Sequence, residues 1–201
     1  MEKVPLSYPK IPQTPEEAKV YAKSAAKRGE RTGKSLAQSL KQKKFETGRI
    51  LDAGCGSGEI VIELALAFSK AEVYGLDLSE PLLQLARKAA DDICNVVFQK
   101  GDVQAMPFED NFFDVVISMN TLHVVDDPVA MINEIERVLK PEGVLGLGDI
   151  KRSWMGYFIP RLKAGYTTEE AKHILNQSYL RKWEFTETLF WFSLKAGDLP
   201  V

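Results

Sequence analysis

The chain has 201 residues, of which 45% are hydrophobic and 27% are charged, and its formal net charge is −2. This length and composition are typical of a single globular domain and exclude a disordered or fibrous chain. It contains no apolar run of about eighteen residues and no signal-peptide pattern at its start, so we expect a cytoplasmic protein without a membrane span. Cys55 and Cys94 are too few for a disulfide framework, and we assign no metal site.

Charge is distributed unevenly along the chain. Residues 1–49 contain 12 Lys and Arg against 5 Glu, whereas residues 50–201 contain 14 against 23 acidic residues. A basic segment attracts acidic surfaces, but stacking on bases needs interleaved aromatic residues. The basic quarter has only Tyr8, Tyr21 and Phe45. We therefore do not expect a nucleic-acid partner.

The first 48 residues predict a helical leader. Thr14 followed by Pro15 and Glu17 forms a capping-box pattern, and Gly29 is a residue that commonly ends a helix. The predicted helices run from Pro15 to about Lys27 and from Ser35 to Phe45. This helical pair is either a lid over the ligand site or a purely packing element, and residues 49–201 form the main domain.

A glycine-rich turn follows the leader. Residues Arg49 to Asp52 read as a short buried strand, Gly54, Gly56 and Gly58 form a tight loop, and apolar periodicity resumes in a helix from Glu59. Ligands of open parallel sheets bind at the carboxyl ends of the strands, so this loop should line the binding cleft.

The residue at position 59 discriminates between ligands. Dinucleotide sites use G-x-G-x-x-G, whereas the spacing here is G-x-G-x-G and the next residue is Glu59. A carboxylate repels a pyrophosphate but attracts an amine or a sulfonium, which favours S-adenosylmethionine over NAD. A second predicted strand ends at Asp77, 19 residues after Gly58, near the interval expected for a carboxylate that holds a ribose.

Strands and helices alternate through most of the remaining chain. This alternation predicts five parallel strands joined by right-handed crossovers, with helices on both faces of the sheet. The last aromatic-rich stretch is too short for a crossover helix between its halves, so it should form an antiparallel hairpin. After Asp77 the predicted elements are a helix Pro81–Asp91, strands Asn95–Gln99 and Phe112–Met119, a helix from Asp127 to about Lys140, a strand Gly143–Gly148, a helix Thr167–Gln177 and the hairpin Leu180–Ala196.

Several motifs occur together in a recognisable order. They are Leu51–Gly58, Gly75–Ser79, Gly101–Phe108, Phe113–Val116 and Leu122–Pro128. Over residues 49–150 the chain resembles the class I S-adenosylmethionine-dependent methyltransferases, particularly the small-molecule group that includes the quinone methyltransferases. The resemblance implies an α/β, Rossmann-like seven-stranded sheet whose last strand lies beside the fifth. It also implies that residues 49–201 are a methyltransferase domain.

The resemblance further implies roles for individual residues in binding S-adenosylmethionine and its product S-adenosylhomocysteine. The backbone of the glycine loop would contact the methionine portion, while carboxylates accept hydrogen bonds from the ammonium, the ribose and the adenine amino group. The implied cofactor-binding residues are Asp52, Gly54, Cys55, Gly56, Gly58, Asp77, Leu78, Asp102, Val103 and Asn120.

The acceptor side is less defined by sequence. Asn120 follows the fourth strand and would orient the acceptor, and His123 is either a general base or a structural residue of the same loop. The segment 151–165 contains Trp154, Met155, Tyr157 and Phe158, which form either an acceptor lid or a cover for the sheet edge. This composition favours a small apolar or aromatic acceptor.

Two other functions are compatible with a glycine loop in an α/β fold. One is a nicotinamide-dependent oxidoreductase, although no tyrosine here has a lysine four residues later. The other is a non-catalytic protein that binds the cofactor and serves as a scaffold. The sequence does not predict an oligomeric state.

Overall fold

The structure is a computed structural model that describes residues 11–197. The predicted leader begins at residue 1 and the predicted main domain ends at residue 201, so residues 1–10 of the leader and 198–201 of the main domain lie outside the described residues. Within residues 11–197 no helix is long and apolar enough to cross a membrane. The elements are α1 Pro15–Gln42, β1 Gly48–Ala53, α2 Glu59–Ala67, β2 Ala71–Asp77, α3 Glu80–Ala89, β3 Val96–Lys100, β4 Phe113–Met119, α4 Pro128–Val138, β5 Leu139–Ile150, α5 Thr168–Gln177, β6 Glu184–Glu187 and β7 Trp191–Ala196.

The strands form one seven-stranded sheet in the order β3-β2-β1-β4-β5-β7-β6. The first five strands pair in parallel, and β7 is antiparallel to both β5 and β6. The predicted fold class is therefore confirmed, including the insertion of the last strand beside the fifth. The carboxyl ends of β1 to β5 share one edge of the sheet, which we call the ligand edge.

Helices cover both faces of the sheet. Because successive residues of a strand point to opposite faces, Ile50 packs with one helical layer and Leu51 with the other. The first layer consists of α1, α2 and α3, and the second consists of α4 and α5. Each layer closes a separate apolar core.

The leader is one continuous helix, so the prediction of a helical pair was wrong. The 28-residue helix α1 begins with the predicted capping box at Thr14 but passes through Gly29 and Gly33. A Cβ at Gly29 would lie 2.8 Å from the Cβ of Glu59, and one at Gly33 would lie 2.7 Å from the Cβ of Glu63. The two glycines are therefore sites of close contact with α2, and tertiary packing overrides their tendency to end a helix.

The fifth strand starts earlier than predicted. Helix α4 ends at Val138 and β5 begins at Leu139, whereas the sequence predicted helix to about Lys140 and strand from Gly143. The pairing of β4 with β5 shifts register between Phe113 and Val115. This irregularity accommodates Pro141, which has no N–H to donate to a regular ladder.

Candidate functional site

The glycine loop between β1 and α2 is pressed between two neighbouring elements. Gly54 and Gly58 have φ angles of +86° and +85°, which residues other than glycine rarely adopt. A Cβ at Gly54 would lie 2.6 Å from Thr121 Cγ2, and one at Gly58 would lie 2.8 Å from the Cβ of Ala86. The loop therefore lies where the predicted motif places it, and it has no room for larger residues.

Asp77 fixes the shape of this loop from the end of β2. Its Oδ2 accepts a hydrogen bond from the Gly56 backbone N–H at 2.8 Å, and its Oδ1 accepts one from the Ser79 backbone N–H at 2.8 Å. Burial raises the pKa of the Asp77 carboxyl, while hydrogen bonds from backbone N–H groups act in the opposite direction. A carboxylate can accept about four hydrogen bonds, so Asp77 can still accept one from a ligand donor.

Asp52 lies buried beneath the loop and lacks a hydrogen-bond partner on one oxygen. The residue is 1% exposed, and within residues 11–197 no donor reaches its Oδ1. Burial, with smaller contributions from the charges of Asp77 and Glu59, raises the pKa of Asp52 to about 8. An unsatisfied buried carboxylate of this kind is a natural partner for a ligand cation.

Three carboxyl groups thus surround the glycine loop, since Glu59 lies at the first turn of α2. The Ser57 hydroxyl donates to Glu59 Oε1 at 2.7 Å and holds that side chain beside the loop. The negative charges of Asp77 and Glu59 oppose a pyrophosphate and suit a ligand carrying ammonium and sulfonium groups, and such a cation would also favour ionisation of the buried Asp52. The residues present therefore fit S-adenosylmethionine better than a dinucleotide.

Tyr21 of α1 is a site residue that the sequence did not predict. Its Cε1 lies 3.6 Å from the position that a Cβ on Gly56 would occupy, so the ring lies over the glycine loop. Burial and the nearby charge of Asp77 raise the pKa of the Tyr21 phenol. The Ser79 hydroxyl also donates to the Pro12 carbonyl, which holds the chain preceding α1 at the same edge. The sequence feature that could have indicated Tyr21 is its spacing of three residues from Ala18, which places both residues on one face of the helix, and Ala18 is buried in the structure.

The loop after β3 is organised by Gln104, which sequence reasoning also missed. Asp102 Oδ1 accepts hydrogen bonds from the Gln104 backbone N–H at 2.8 Å and from Gln104 Nε2 at 3.0 Å. Gln104 Oε1 in turn accepts one from the Asp127 backbone N–H at 2.6 Å. Val103 is buried in the core, whereas Leu78 is 44% exposed at the ligand edge. Gln104 therefore connects the predicted adenine-binding loop to the start of α4.

The Cys55 side chain points away from the predicted ligand. It is buried in the core formed with the α1–α3 layer, and a Cβ on Gly75 would lie 2.8 Å from its Sγ. Burial raises the pKa of this thiol well above its usual range, which leaves it unreactive. Contact between Cys55 and a ligand would therefore involve its backbone.

The end of β4 is attached to the glycine loop and to β5. The Ser118 hydroxyl donates to the Ala53 carbonyl at 2.7 Å, and the Asn120 N–H donates to the Gly148 carbonyl at 2.9 Å. Asn120 has a φ of +60°, a conformation in which asparagine is enriched among non-glycine residues. Asn120 is thereby held at the ligand edge.

His123 forms a buried pair with Asp149 at the end of β5. Their side chains are 8% and 0% exposed, and His123 Nδ1 lies 2.7 Å from Asp149 Oδ1. Asp149 also accepts hydrogen bonds from the backbone N–H groups of His123 at 2.8 Å and of Ile150 at 2.6 Å. Because an ionised carboxylate only accepts, we assign the proton of the neutral ring to Nδ1, which leaves Nε2 as its acceptor. Asp149 was not predicted because the expected strand ended at Gly148.

The segment 151–165 covers the end of β5 and exposes aromatic rings. It contains two short 3-10 helices, Trp154–Tyr157 and Pro160–Ala164. Leu162 and Ala164 pack on Ile150, whereas the exposed fractions of Trp154, Tyr157 and Phe158 are 61%, 72% and 73%. The segment thus has an apolar inner side and an aromatic outer side.

The structure brings the predicted site residues to one edge. Asp52, Asp77, Asp102 and Asn120 belong to or follow four neighbouring strands, β1 to β4, at the ligand edge. In the described part of the chain no group of three or more His, Cys, Asp or Glu is arranged to hold a metal. The arrangement provides hydrogen-bond acceptors at one edge of the sheet.

Comparison with known proteins identifies the family. A family model described as a methyltransferase domain matches residues 44–186. The demethylmenaquinone methyltransferase of Staphylococcus saprophyticus is 36% identical over 108 residues, which cover 53% of this chain and 46% of that protein. The ubiquinone biosynthesis O-methyltransferase of Coxiella burnetii is 30% identical over 142 residues, which cover 67% of this chain and 60% of that protein.

The matched segments span 46% and 60% of these two curated relatives. Among solved structures, a SAM-dependent methyltransferase from Aquifex aeolicus shares the fold with a TM-score of 0.72 at 22% identity, over 92% of this chain and 98% of that chain. With most of the sequence matched by the family model, the chain belongs to the class I S-adenosylmethionine-dependent methyltransferases, whose cosubstrate is S-adenosylmethionine.

Proposed function

We propose that this protein transfers the methyl group of S-adenosylmethionine to a small apolar or aromatic acceptor. The observation that carries the proposal is the buried Asp52 carboxyl, whose Oδ1 has no partner within residues 11–197, beside Asp77 and Glu59 at the glycine loop. A ligand ammonium would satisfy that oxygen, and the surrounding negative charge would favour a sulfonium.

Each of the other predicted cofactor residues has a matching role in this proposal. Asp77 accepts from the ribose hydroxyls with lone pairs that its backbone bonds leave open, and the exposed Leu78 packs on the adenine. Asp102 and the Val103 N–H contact the adenine edge. The backbone of Gly54, Cys55, Gly56 and Gly58 approaches the methionine portion.

The reaction needs placement more than functional-group catalysis. When bound, S-adenosylmethionine supplies an already activated methyl group for an in-line displacement. Asn120 and the loop that contains His123 would align the acceptor nucleophile, and Tyr21 would exclude water from above the glycine loop. His123 is at most a helper that receives a proton at Nε2.

Two features support an apolar or aromatic acceptor. The rings of Trp154, Tyr157 and Phe158 lie exposed beside the end of β5. Two relatives are named for demethylmenaquinone methylation and ubiquinone biosynthesis. Exposed rings of this kind suit a flat acceptor that stacks on them.

Cofactor choice and the role of Asp77 are tested together by calorimetry. We expect the wild-type protein to bind S-adenosylhomocysteine and to show no heat with NAD. The Asp77→Ala variant should bind S-adenosylhomocysteine about 10- to 150-fold more weakly, because hydrogen bonds to a charged group contribute about 1.5 to 3 kcal/mol. Asp91→Ala is the matched control, since this exposed acid follows α3 at the opposite edge of the sheet. Binding of NAD without S-adenosylhomocysteine would reject the proposed function.

The buried Asp52 predicts a pH dependence of stability. Its folded-state pKa of about 8 lies above the ordinary value of 3.8, so the folded protein retains a proton that the unfolded chain loses. Stability from this group is present at low pH and is lost as the pH rises toward 8. Since Asn imitates the protonated acid, Asp52→Asn should gain stability over wild type by about 2 to 4 kcal/mol between pH 5 and pH 8.

Urea unfolding at pH 5, 6, 7 and 8 measures this difference. The exposed Asp126→Asn removes the same charge and should give a constant difference from wild type. If Asp52→Asn also differs from wild type by a constant amount, Asp52 is already ionised in the folded protein at pH 5.

The position of Tyr21 predicts that α1 acts as a lid. With S-adenosylhomocysteine bound, the amides around Tyr21 should exchange hydrogen more slowly, because a ligand beside the glycine loop would also contact the ring that lies over Gly56 and hold it in place. Hydrogen-exchange mass spectrometry measures the effect, with α5 as the internal control. Equal protection of residues 15–45 in both states would assign α1 a packing role alone.

Replacement of His123 tests the placement mechanism. His123→Gln keeps a hydrogen-bonding side chain but removes the base. If the acceptor's nucleophile is a carbon, a sulfur or a neutral amine, the rate should fall less than about tenfold, below the usual contribution of a general base. Transfer of tritiated methyl to an acceptor found by screening phenols and hydroquinones measures the rate. The exposed His173→Gln is the control. A loss of a thousandfold or more, with unchanged S-adenosylhomocysteine binding, would make His123 the base.

A further inference from the structure

Arg152 is a buried cation with most of its hydrogen-bonding capacity unused. It follows β5 by two residues, and its side chain is 4% exposed. Nη2 donates to Glu170 Oε1, but within residues 11–197 no acceptor reaches Nε or Nη1. A guanidinium carries one N–H on Nε and two on Nη1, so three donors are buried without a partner. Such donors are costly unless something satisfies them.

The neighbouring residue has the same property. The Ser153 hydroxyl is also buried and has no hydrogen-bond partner in the described part of the chain. Two consecutive residues at the ligand edge therefore present unused donors. They directly precede the segment that exposes Trp154, Tyr157 and Phe158.

The nearby carboxylates are already engaged. Glu170 Oε2 accepts from the Thr167 N–H at 2.9 Å in the cap of α5, which leaves Oε1 for Arg152. Asp149 accepts from the backbone N–H groups of His123 and Ile150 and pairs with the His123 ring. Neither acid accepts a hydrogen bond from Nε or Nη1 of Arg152.

We propose that Arg152, assisted by the Ser153 hydroxyl, binds a carboxylate carried by the methyl acceptor. The acceptor is then an aromatic or aliphatic carboxylic acid, whose apolar body lies toward the exposed aromatic rings of residues 154–158. This inference deepens the proposed function by assigning its substrate class.

The charges around Arg152 favour a carboxylate over other groups. A charged acceptor forms stronger hydrogen bonds with a guanidinium than a neutral carbonyl does. A phosphate carries up to two charges and would be repelled more strongly by the carboxylates of Asp149 and Glu170. A singly charged, planar acid is the group that satisfies the donors at the lowest electrostatic cost.

Entry of the acid requires movement of the covering segment. The unpaired nitrogen atoms of Arg152 have no contact with solvent. The cover is made of short turns held by local bonds such as Gly156 N–H to the Ser153 carbonyl at 2.9 Å and Leu162 N–H to the Ile159 carbonyl at 3.0 Å. Outward movement of this cover would break these local bonds and the apolar contacts of Leu162 and Ala164 with Ile150, while the strand pairing of β5 with β4 and β7 would remain.

The test compares an acid with its amide on protein saturated with S-adenosylhomocysteine. The probes are 3-phenylpropionate and 3-phenylpropionamide, which have the same apolar body. In protein labelled with ¹⁵N-arginine, the Nε–H resonance that disappears in Arg152→Lys is that of Arg152. We expect the acid to shift this resonance and to bind about 10- to 150-fold more tightly than the amide. Equal binding of the two probes, or an unmoved resonance, would overturn the proposal.

Variants separate recognition of the acid from a structural role. Arg152→Met should bind the acid and the amide equally, and Glu170→Gln should keep the preference for the acid. If Arg152→Met unfolds, the comparison of probes on the wild-type protein decides alone. Calorimetry with S-adenosylhomocysteine reports on the proposed function independently. Normal cofactor binding without acid recognition rejects only this assignment of the acceptor.

Discussion

The ligand edge depends on one hydrogen bond between the loop that follows β1 and a side chain at the end of the neighbouring strand β2. Asp77 Oδ2 at the end of β2 accepts from the Gly56 N–H in the loop that follows β1, at 2.8 Å. This bond holds the glycine loop against the sheet and so encloses the Asp52 carboxyl beneath it, 1% exposed. The burial of Asp52 thus depends on the hydrogen bond between Asp77 and the loop backbone, and that burial raises the pKa of Asp52.

The fold could be predicted from the sequence because its main determinants are local. Alternating strand and helix patterns require a parallel sheet, and the short spacing within the last aromatic stretch requires an antiparallel pair. The predicted helix end at Gly29 was wrong because a distant contact, which local sequence does not show, determines the structure there. A glycine within a helix pattern indicates an end when it is considered alone, whereas here it allows α1 to contact Glu59 of α2. That contact joins residues 30 positions apart and leaves no mark on local periodicity.

The candidate site likewise contains residues that sequence motifs predict and residues that only the folded structure reveals. Asp52, Asp77 and Asp102 lie at the edge expected from their positions in ordered motifs. Tyr21 approaches Gly56 from 35 residues earlier in the chain, and Gln104 bonds to Asp102 through a turn that no motif specifies. Residues recruited from distant segments, such as Arg152 with Glu170, become visible only when burial and partners are known.

The close contact between α1 and α2 also determines how one helix reaches both the hydrophobic core and the glycine loop. At about 1.5 Å per residue, the 28-residue α1 is a rod about 42 Å long. Leu40 near its carboxyl end is buried in the core, Gly33 presses on α2, and Tyr21 lies over the glycine loop about 18 Å from that contact. Because α1 is one continuous helix, the packing of Leu40 and Gly33 also fixes where Tyr21 lies over the glycine loop.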